Sequence, residues 1–479
     1  MQTTSTPPTA SPSRKSRRRW YILGFLLLIV ATPVGWYFIA GWLADREMAE
    51  LLAEMDADDP GWRWPDIVAR LEPIPDETNT VTQIFKVNAL ARAPGTFNPG
   101  PKWDNANLIQ NARLTEDQAG AVEAAFSRCA PALREEARKL KDLPRGRFRI
   151  PAENGATLSL ELEEIQKTRS VAYVLQVDAA LRAHEGDLDG AAESCQAILN
   201  TAGAFKDYPN LIGFLVRCAE QAIAVHAIER MLGQGSVSEP QLKKLQELLQ
   251  READDDGRYH ALRGERASSH QMYMNVRAGK VKLSQVFGNF GRKAGTTEET
   301  VTDRLLDTFP NLILKDYPDY LRMMNERIKA CKLEPGPRDD ALQKLDEEAR
   351  TKGSLLTRMM FPGVAKISEA SLRSQAFLRC TLVAVAAERY RLGHGAWPAT
   401  LDDLVKDGLL AKAPTDPYDG KPLRWKKTPT GAIAYSVGRD MIDNGGAINR
   451  TNILADGSDF GFELWIPKMR GVVPPVAAP

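Results

Sequence analysis

Histidine and cysteine are scarce in this chain of 479 residues, with five of each. The cysteines (Cys129, Cys195, Cys218, Cys331 and Cys380) are widely separated, odd in number and never paired as CxxC. That excludes a zinc knuckle and a dense disulfide framework. In Ala- and Leu-rich helical surroundings such cysteines read as small apolar core residues, although an oxidising compartment leaves one or two disulfides open. Among the histidines (His184, His226, His260, His270 and His394), His260 and His270 flank Glu265 at offsets of five and ten. On a helix those offsets turn the side chains by about 140° and 280°, so they share no metal-facing side. The Gly288–Thr297 stretch lacks the Gly-Lys-Ser/Thr order of a phosphate-binding loop, and no G-x-S-x-G elbow occurs. A hydrolase would have to rest on carboxylates that spacing alone does not pair. An excess of charge is also missing. Lys plus Arg (63) nearly cancels Asp plus Glu (62), which removes the electrostatic footprint of nucleic-acid binding.

One long hydrophobic run is present. Residues 1–13 are rich in Thr, Ser and Pro and read as unstructured. Arg14, Lys15, Arg17, Arg18 and Arg19 follow, and from Trp20 to Leu43 there is no charged side chain. About 20 apolar residues cross a bilayer core as helix. Trp20, Tyr21, Trp36, Tyr37 and Trp42 suit the two interfaces. The basic run before the span, set against Asp45, Glu47 and Glu50 after it, keeps the N-terminus cytoplasmic. A cleaved signal peptide or twin-arginine signal is the rival reading, and the exit Ala40-Gly41-Trp42 is a poor cleavage site for either. The expectation is a single-pass anchor in the inner (cytoplasmic) membrane, with the bulk of the chain periplasmic.

Beyond the span, apolar residues (43%) and charged residues (26%) occur at ordinary globular levels. Residues 46–57 continue as an amphipathic helix that ends at Asp58-Asp59-Pro60-Gly61, and Trp62 and Trp64 are expected to pack on the main domain. Capping boxes are read at Thr115/Gln118 and Ser238/Gln241, the latter with Pro240 in the first turn. Residues 177–199 read as two helices joined at Gly186-Asp187. They superficially look like a tetratricopeptide unit, but the pattern does not recur, so a lone hairpin in an irregular bundle is expected. Further helices are expected near 207–232, 239–254, 257–278, 297–312, 316–332 and 338–352.

Around Ser368 a long apolar-periodic helix begins and runs to Arg391. Leu423/Trp425, Ile433/Tyr435/Val437 and Phe460/Phe462/Leu464 then alternate as half-buried strands do. The predicted fold class is mainly α: an N-terminal transmembrane helix, an irregular helical bundle, and a C-terminal α+β module of one long helix followed by a small antiparallel sheet. The expected divisions are a cytoplasmic tail at 1–19, the span at 20–43, a stalk or collar at 44–110, a helical domain at 111–365, the α+β module at 366–467 and a flexible tail at 468–479.

Within that module, Glu388-Arg389-Tyr390 leads into His394-Gly395-Ala396-Trp397-Pro398. Thr415-Asp416-Pro417-Tyr418-Asp419-Gly420-Lys421-Pro422 and Tyr435-Ser436-Val437-Gly438-Arg439-Asp440 follow, then Gly445-Gly446 and Asp459-Phe460. This order resembles the extracytoplasmic domain of the major pseudopilin (protein G) of type II secretion systems, over roughly one fifth of the chain. The resemblance implies a calcium-binding loop. Asp440 and Asp459 carry over from the family, and Asp443 and Asp456 join them on local chemistry, because Ca²⁺ takes about six to eight hard oxygen ligands. An EF-hand is excluded by Ile442 and Thr451 at positions that need carboxylates. The alternative is a polar loop whose Asp and Gly residues make turns. The chain departs from the family at Met441, where the family has Gly, and in an insertion at residues 448–454. Its span also lies far upstream and carries no acid, unlike that of a pilus subunit. The layout as a whole looks like that of the large membrane-anchored proteins of planctomycete-type bacteria. The expected role is a non-enzymatic scaffold or binding protein of the bacterial envelope with a protein partner there. The alternatives are an envelope hydrolase using unrecognised carboxylates and a component of a secretion or pilus-like complex.

Overall fold

A computed structural model describes residues 14–92, 95–101, 103, 108–150, 158–255, 257–287, 300–333 and 337–473. The Gly288–Thr297 stretch weighed above as a phosphate loop lies outside them. The fold is mainly helical and ends in a small antiparallel sheet, as the sequence implies.

Helix α1 (Arg14–Asp58) runs without interruption from the apolar segment into the folded body, with Pro33 inside it. No residue of its most apolar stretch is buried in protein. Every fourth or third residue from Tyr37 onward then turns inward: Gly41, Ala44, Met48, Leu51 and Met55 are buried on one stripe, the spacing that keeps side chains on one helix face. The stretch expected as a stalk is therefore built into the body. Helix α2 (Trp64–Ala69) follows, and Trp62 and Trp64 are both buried, as the sequence predicts. The body continues through α3 (Thr80–Arg92), α4 (Glu116–Ser127), α5 (Leu133–Arg138), α6 (Leu158–His184), α7 (Leu188–Gly203), α8 (Leu211–Gln234) and α9 (Glu239–Asp254). It is completed by α10 (Arg258–Arg277), α11 (Leu283–Phe287), α12 (Val301–Thr308), α13 (Asn311–Leu314), α14 (Tyr317–Ala330) and α15 (Pro337–Thr351).

The local signals are mostly realised. Thr115 and Gln118 form the expected reciprocal capping box on α4. The α6–α7 hairpin turns at Gly186 (φ 87°), and the Asp187 side chain caps the Gly190 N–H. Ser238 is the exception, because it makes no side-chain cap. The Gln241 carboxamide that would close the box instead accepts a hydrogen bond from Gln196 at 2.7 Å, so a tertiary partner outcompetes the local one. The five cysteines are free, four of them buried.

The long C-terminal helix, α16 (Leu355–His394), starts a dozen or so residues before the texture change at Ser368, where Ser354 caps the Thr357 N–H. A short α17 (Leu401–Lys406) leads to β1 (Arg424–Thr428), β2 (Gly431–Ser436) and β3 (Phe460–Trp465), an antiparallel meander in the order β1-β2-β3. Gly431 is required in β2, since a Cβ there would lie 1.7 Å from the Leu464 carbonyl oxygen.

Two large apolar cores and a small cluster of Trp64, Ile67 and Ala267 result. The first joins α3 to α9 with α16 and the sheet, so the α+β module shares its core with the helical body. The second joins the inner half of α1 to α10, α13, α14, α15 and the starts of α8 and α16. Helices α8 and α16 belong to both. Between the cores the buried Arg217 pairs with Glu252 (2.9 Å) and Asp255 (3.2 Å), and Gln221 links Glu252 to Ser374. Of the two helices long and apolar enough to cross a membrane among the described residues, α8 is mostly buried as a core helix, whereas the apolar part of α1 is fully uncovered.

Candidate ligand cavity

The four aspartates expected to hold calcium sit on the loop between β2 and β3, but their oxygens serve the loop itself. Asp440 accepts from the N–H of Ile442 (3.0 Å) and of Gly457 (3.0 Å). Asp443 accepts from the Gly445 N–H (2.9 Å) and the Tyr435 hydroxyl (3.1 Å). Asp459 accepts from Gly446 N–H (2.7 Å) and Asn444 N–H (3.3 Å), and Asp456 is exposed. Among the described residues no three His, Cys, Asp or Glu side chains converge so as to hold a metal ion. This donor set does not fit Ca²⁺, which needs a shell of about six to eight oxygens around one point; the geometry is that of turn-forming Asx residues. Hydrogen bonding from the Ile442 N–H holds Asp440 below the ordinary carboxylate range, while burial raises Asp459 against the pull of its N–H donors. Met441, the residue standing where the pseudopilin family has Gly, has a left-handed backbone (φ 57°), alone among the described non-glycine residues.

The turn before the sheet is tied by a residue with no role in the sequence reading. Asp416 is buried and accepts from Ser436 Oγ (2.7 Å), Val437 N–H (2.9 Å), Tyr418 N–H (3.0 Å) and Arg424 (2.7 Å). It fixes β1 and β2 against the turn and so sets where the β2–β3 loop projects.

That loop closes over the helical body and encloses a cavity of about 520 Å³. The floor comes from α6 (Ala179, Ala180) and α8 (Val225, His226), with Phe377 of α16 and Phe460 of β3 at the side. The cover is Ile448, Arg450, Thr451 and Ile453, all within the insertion that sets this chain apart from the pseudopilin pattern. Arg450 locks the cover down. It donates to both oxygens of the buried Glu229 (2.7 and 2.8 Å) and to Glu463 (2.7 Å), and Glu229 also accepts the Glu463 N–H (2.8 Å). Burial works against the Arg450 charge, but Glu229 and Glu463 outweigh it and raise its pKa. Arg230, one residue on, is buried and donates to the carbonyls of Ile109 and Ala112; burial brings its pKa down to about 10.

His226 is different in kind. Its ring has open surface yet is surrounded by protein, so that surface faces the cavity. Burial lowers its pKa, with Glu229 opposing the shift and Arg450 adding to it. It stands beside Phe377 and makes no hydrogen bond among the described residues. Arg450 and Glu229 thus neutralise one another, and what remains for a ligand is a mostly apolar wall that also carries Arg230, Asp459 and the His226 imidazole. Sequence reasoning passed over His226, Glu229, Arg230 and Arg450. The usable signals were the spacing i, i+3, i+4 of His226, Glu229 and Arg230 in the second half of α8 and an arginine inside an insertion.

Comparisons with family models, with characterised proteins and with solved structures find no match to this chain. Any functional reading therefore rests on the geometry.

Proposed function

We propose that this chain is a membrane-anchored binding or scaffold protein of the bacterial envelope: α1 tethers it to the inner membrane with the basic tail in the cytoplasm, and the body with its C-terminal module stands on the extracytoplasmic side. The anchor reading is supported by the uncovered apolar segment of α1 and by its continuation as a buried stripe, which makes the tether a structural part of the body. The binding reading is carried by one observation. Arg450 of the cover is satisfied by Glu229 and Glu463, and the cavity between body and module keeps a mostly apolar wall set with the His226 imidazole, Arg230 and Asp459. Such a recess receives an apolar group that also carries a polar anchor point.

Two features support kinship of the C-terminal module with the pseudopilin domain: a long helix packed on an antiparallel sheet, and the left-handed turn at Met441 where that family places Gly. Native mass spectrometry of the detergent-purified full chain tests the binding reading. A bound small molecule is expected, and it should be lost from Ile453→Trp, whose indole enters the cavity, at unchanged melting temperature. An unliganded mass for both proteins under gentle extraction counts against it.

A further inference from the structure

Val301, Leu305, Phe309 and Leu312 recur at helical spacing along α12 and α13, and they are 76%, 50%, 44% and 49% exposed. The opposite side of the same segment already does the work of folding: Leu314 is buried in the second core, Leu306 and Ile313 pack against it, and the buried Asp303 closes a capping box with Thr300. The segment therefore carries two apolar faces, of which one is largely exposed among the described residues.

Its position says what covers that second face. The Phe309 ring meets Tyr37 edge-on at 5.8 Å between centroids. Asn311 lies against Gly41 so closely that a Cβ there would come within 2.7 Å of the amide nitrogen. Tyr37 and Gly41 belong to the last turns of the apolar run. A helix crosses the hydrocarbon core in about 20 residues, so a span beginning at Trp20 leaves it near Ile39. The outward stripe is thus held at the level where acyl chains give way to headgroups. Lys282, paired with Asp307 of α12 at 4.0 Å, and Lys315, paired with Asp316 at 2.8 Å directly after α13, add charged groups to the same segment, as an interfacial helix carries beside its apolar face.

We propose that α12 and α13 form an interfacial foot, lying on the extracytoplasmic leaflet with Val301, Leu305, Phe309 and Leu312 immersed at the headgroup boundary. The foot rests on the reading of α1 as the anchor, and it gives the body a second attachment, so that the protein is held in one orientation to the bilayer. Both attachments act on the second core, through the stripe of α1 and through Leu314.

Nitroxide accessibility tests this on the full chain in vesicles of phosphatidylethanolamine and phosphatidylglycerol. In a Cys331→Ser background, where the remaining cysteines are buried, labels are placed through Leu305→Cys and Leu312→Cys. Leu26→Cys in the span and Gln343→Cys on the solvent-exposed α15 serve as references. The foot is expected to collide with oxygen more than with a water-soluble nickel chelate, at values between the two references. Labels at 305 and 312 that match 343, while 26 reads as lipid, overturn the foot and leave the anchor standing. A label at 26 that reads as aqueous removes both. Dipolar broadening between labels in place of lipid contact assigns the stripe to a second copy of the chain and also overturns the proposal.

Discussion

Glu220 lies in the middle of α8 with no exposed surface, beside Thr168 and Thr201, whose hydroxyls already donate to the carbonyls of Ile165 and Ile198. Burial pushes its pKa up to about 8, outweighing the opposing pull of Thr168 and Thr201. The folded chain holds this proton at pH 7 and the unfolded chain releases it. The folded pKa exceeds the unfolded one, so Glu220's contribution to stability is intact below about pH 4.5 and is lost as pH rises towards 8. Glu220→Gln should melt higher than the parent at pH 8, match it at pH 4, and gain on the order of 3 kcal/mol at neutral pH. Equal melting curves across that range count against a neutral Glu220. Glu388 shows the opposite sign. Burial opposes its charge, but Arg391 and Arg470 hold its pKa at about 2. Its contribution is present above about pH 4.5 and fades as pH falls towards 2. Arg470→Ala leaves that carboxylate poorly paired and is expected to cost about 3 to 5 kcal/mol in denaturant titration. At Met441, substitution by Gly should stabilise by about 1 kcal/mol, because the left-handed backbone there costs an L side chain that much. At this scale the sequence was least legible. It offered Asp440 and Asp459 as ligands by family resemblance and Asp443 and Asp456 by local chemistry, whereas the direction of the neighbouring N–H groups, which makes Asp440, Asp443 and Asp459 turn acceptors, is a property of the closed loop.

Elements were the most legible level, and periodicity explains why. Helices expected at 239–254, 257–278 and 316–332 appear as Glu239–Asp254, Arg258–Arg277 and Tyr317–Ala330, each with one apolar stripe that a single core satisfies. Elements serving two masters were read less well. Helix α16 begins ahead of the expected texture change because its first turns belong to the second core through Leu356, while its later turns carry the sheet. The β2–β3 loop was visible as an insertion, yet its partner Glu229 lies more than two hundred residues away and no local pattern joins them. Arg450→Ala is predicted to loosen that loop: amide exchange over 448–454 should quicken by an order of magnitude or more, about 1.4 kcal/mol of lost closure, while α1 exchanges as before. Unchanged protection there would show that the ion pairs do not hold the cover.

At the scale of the whole molecule, the proposed anchor puts one helix in two solvents. From Trp20 to Leu43, α1 carries no charged side chain, as a bilayer requires. The second half is apolar only on the stripe of Ala44, Met48, Leu51 and Met55, as a protein core requires. That division was visible in the sequence as a run without charge followed by an amphipathic stretch, although the domain boundary drawn between stalk and body was not, since cores are decided by packing at long range. The core half is tied to the body by Asp45 to Arg277 and by Glu54 to Lys329. Alkaline carbonate extraction of membranes from cells producing the full chain tests this most directly. The account predicts that the protein stays with the lipid pellet and is released only by detergent; recovery of the folded chain in the carbonate supernatant would contradict it.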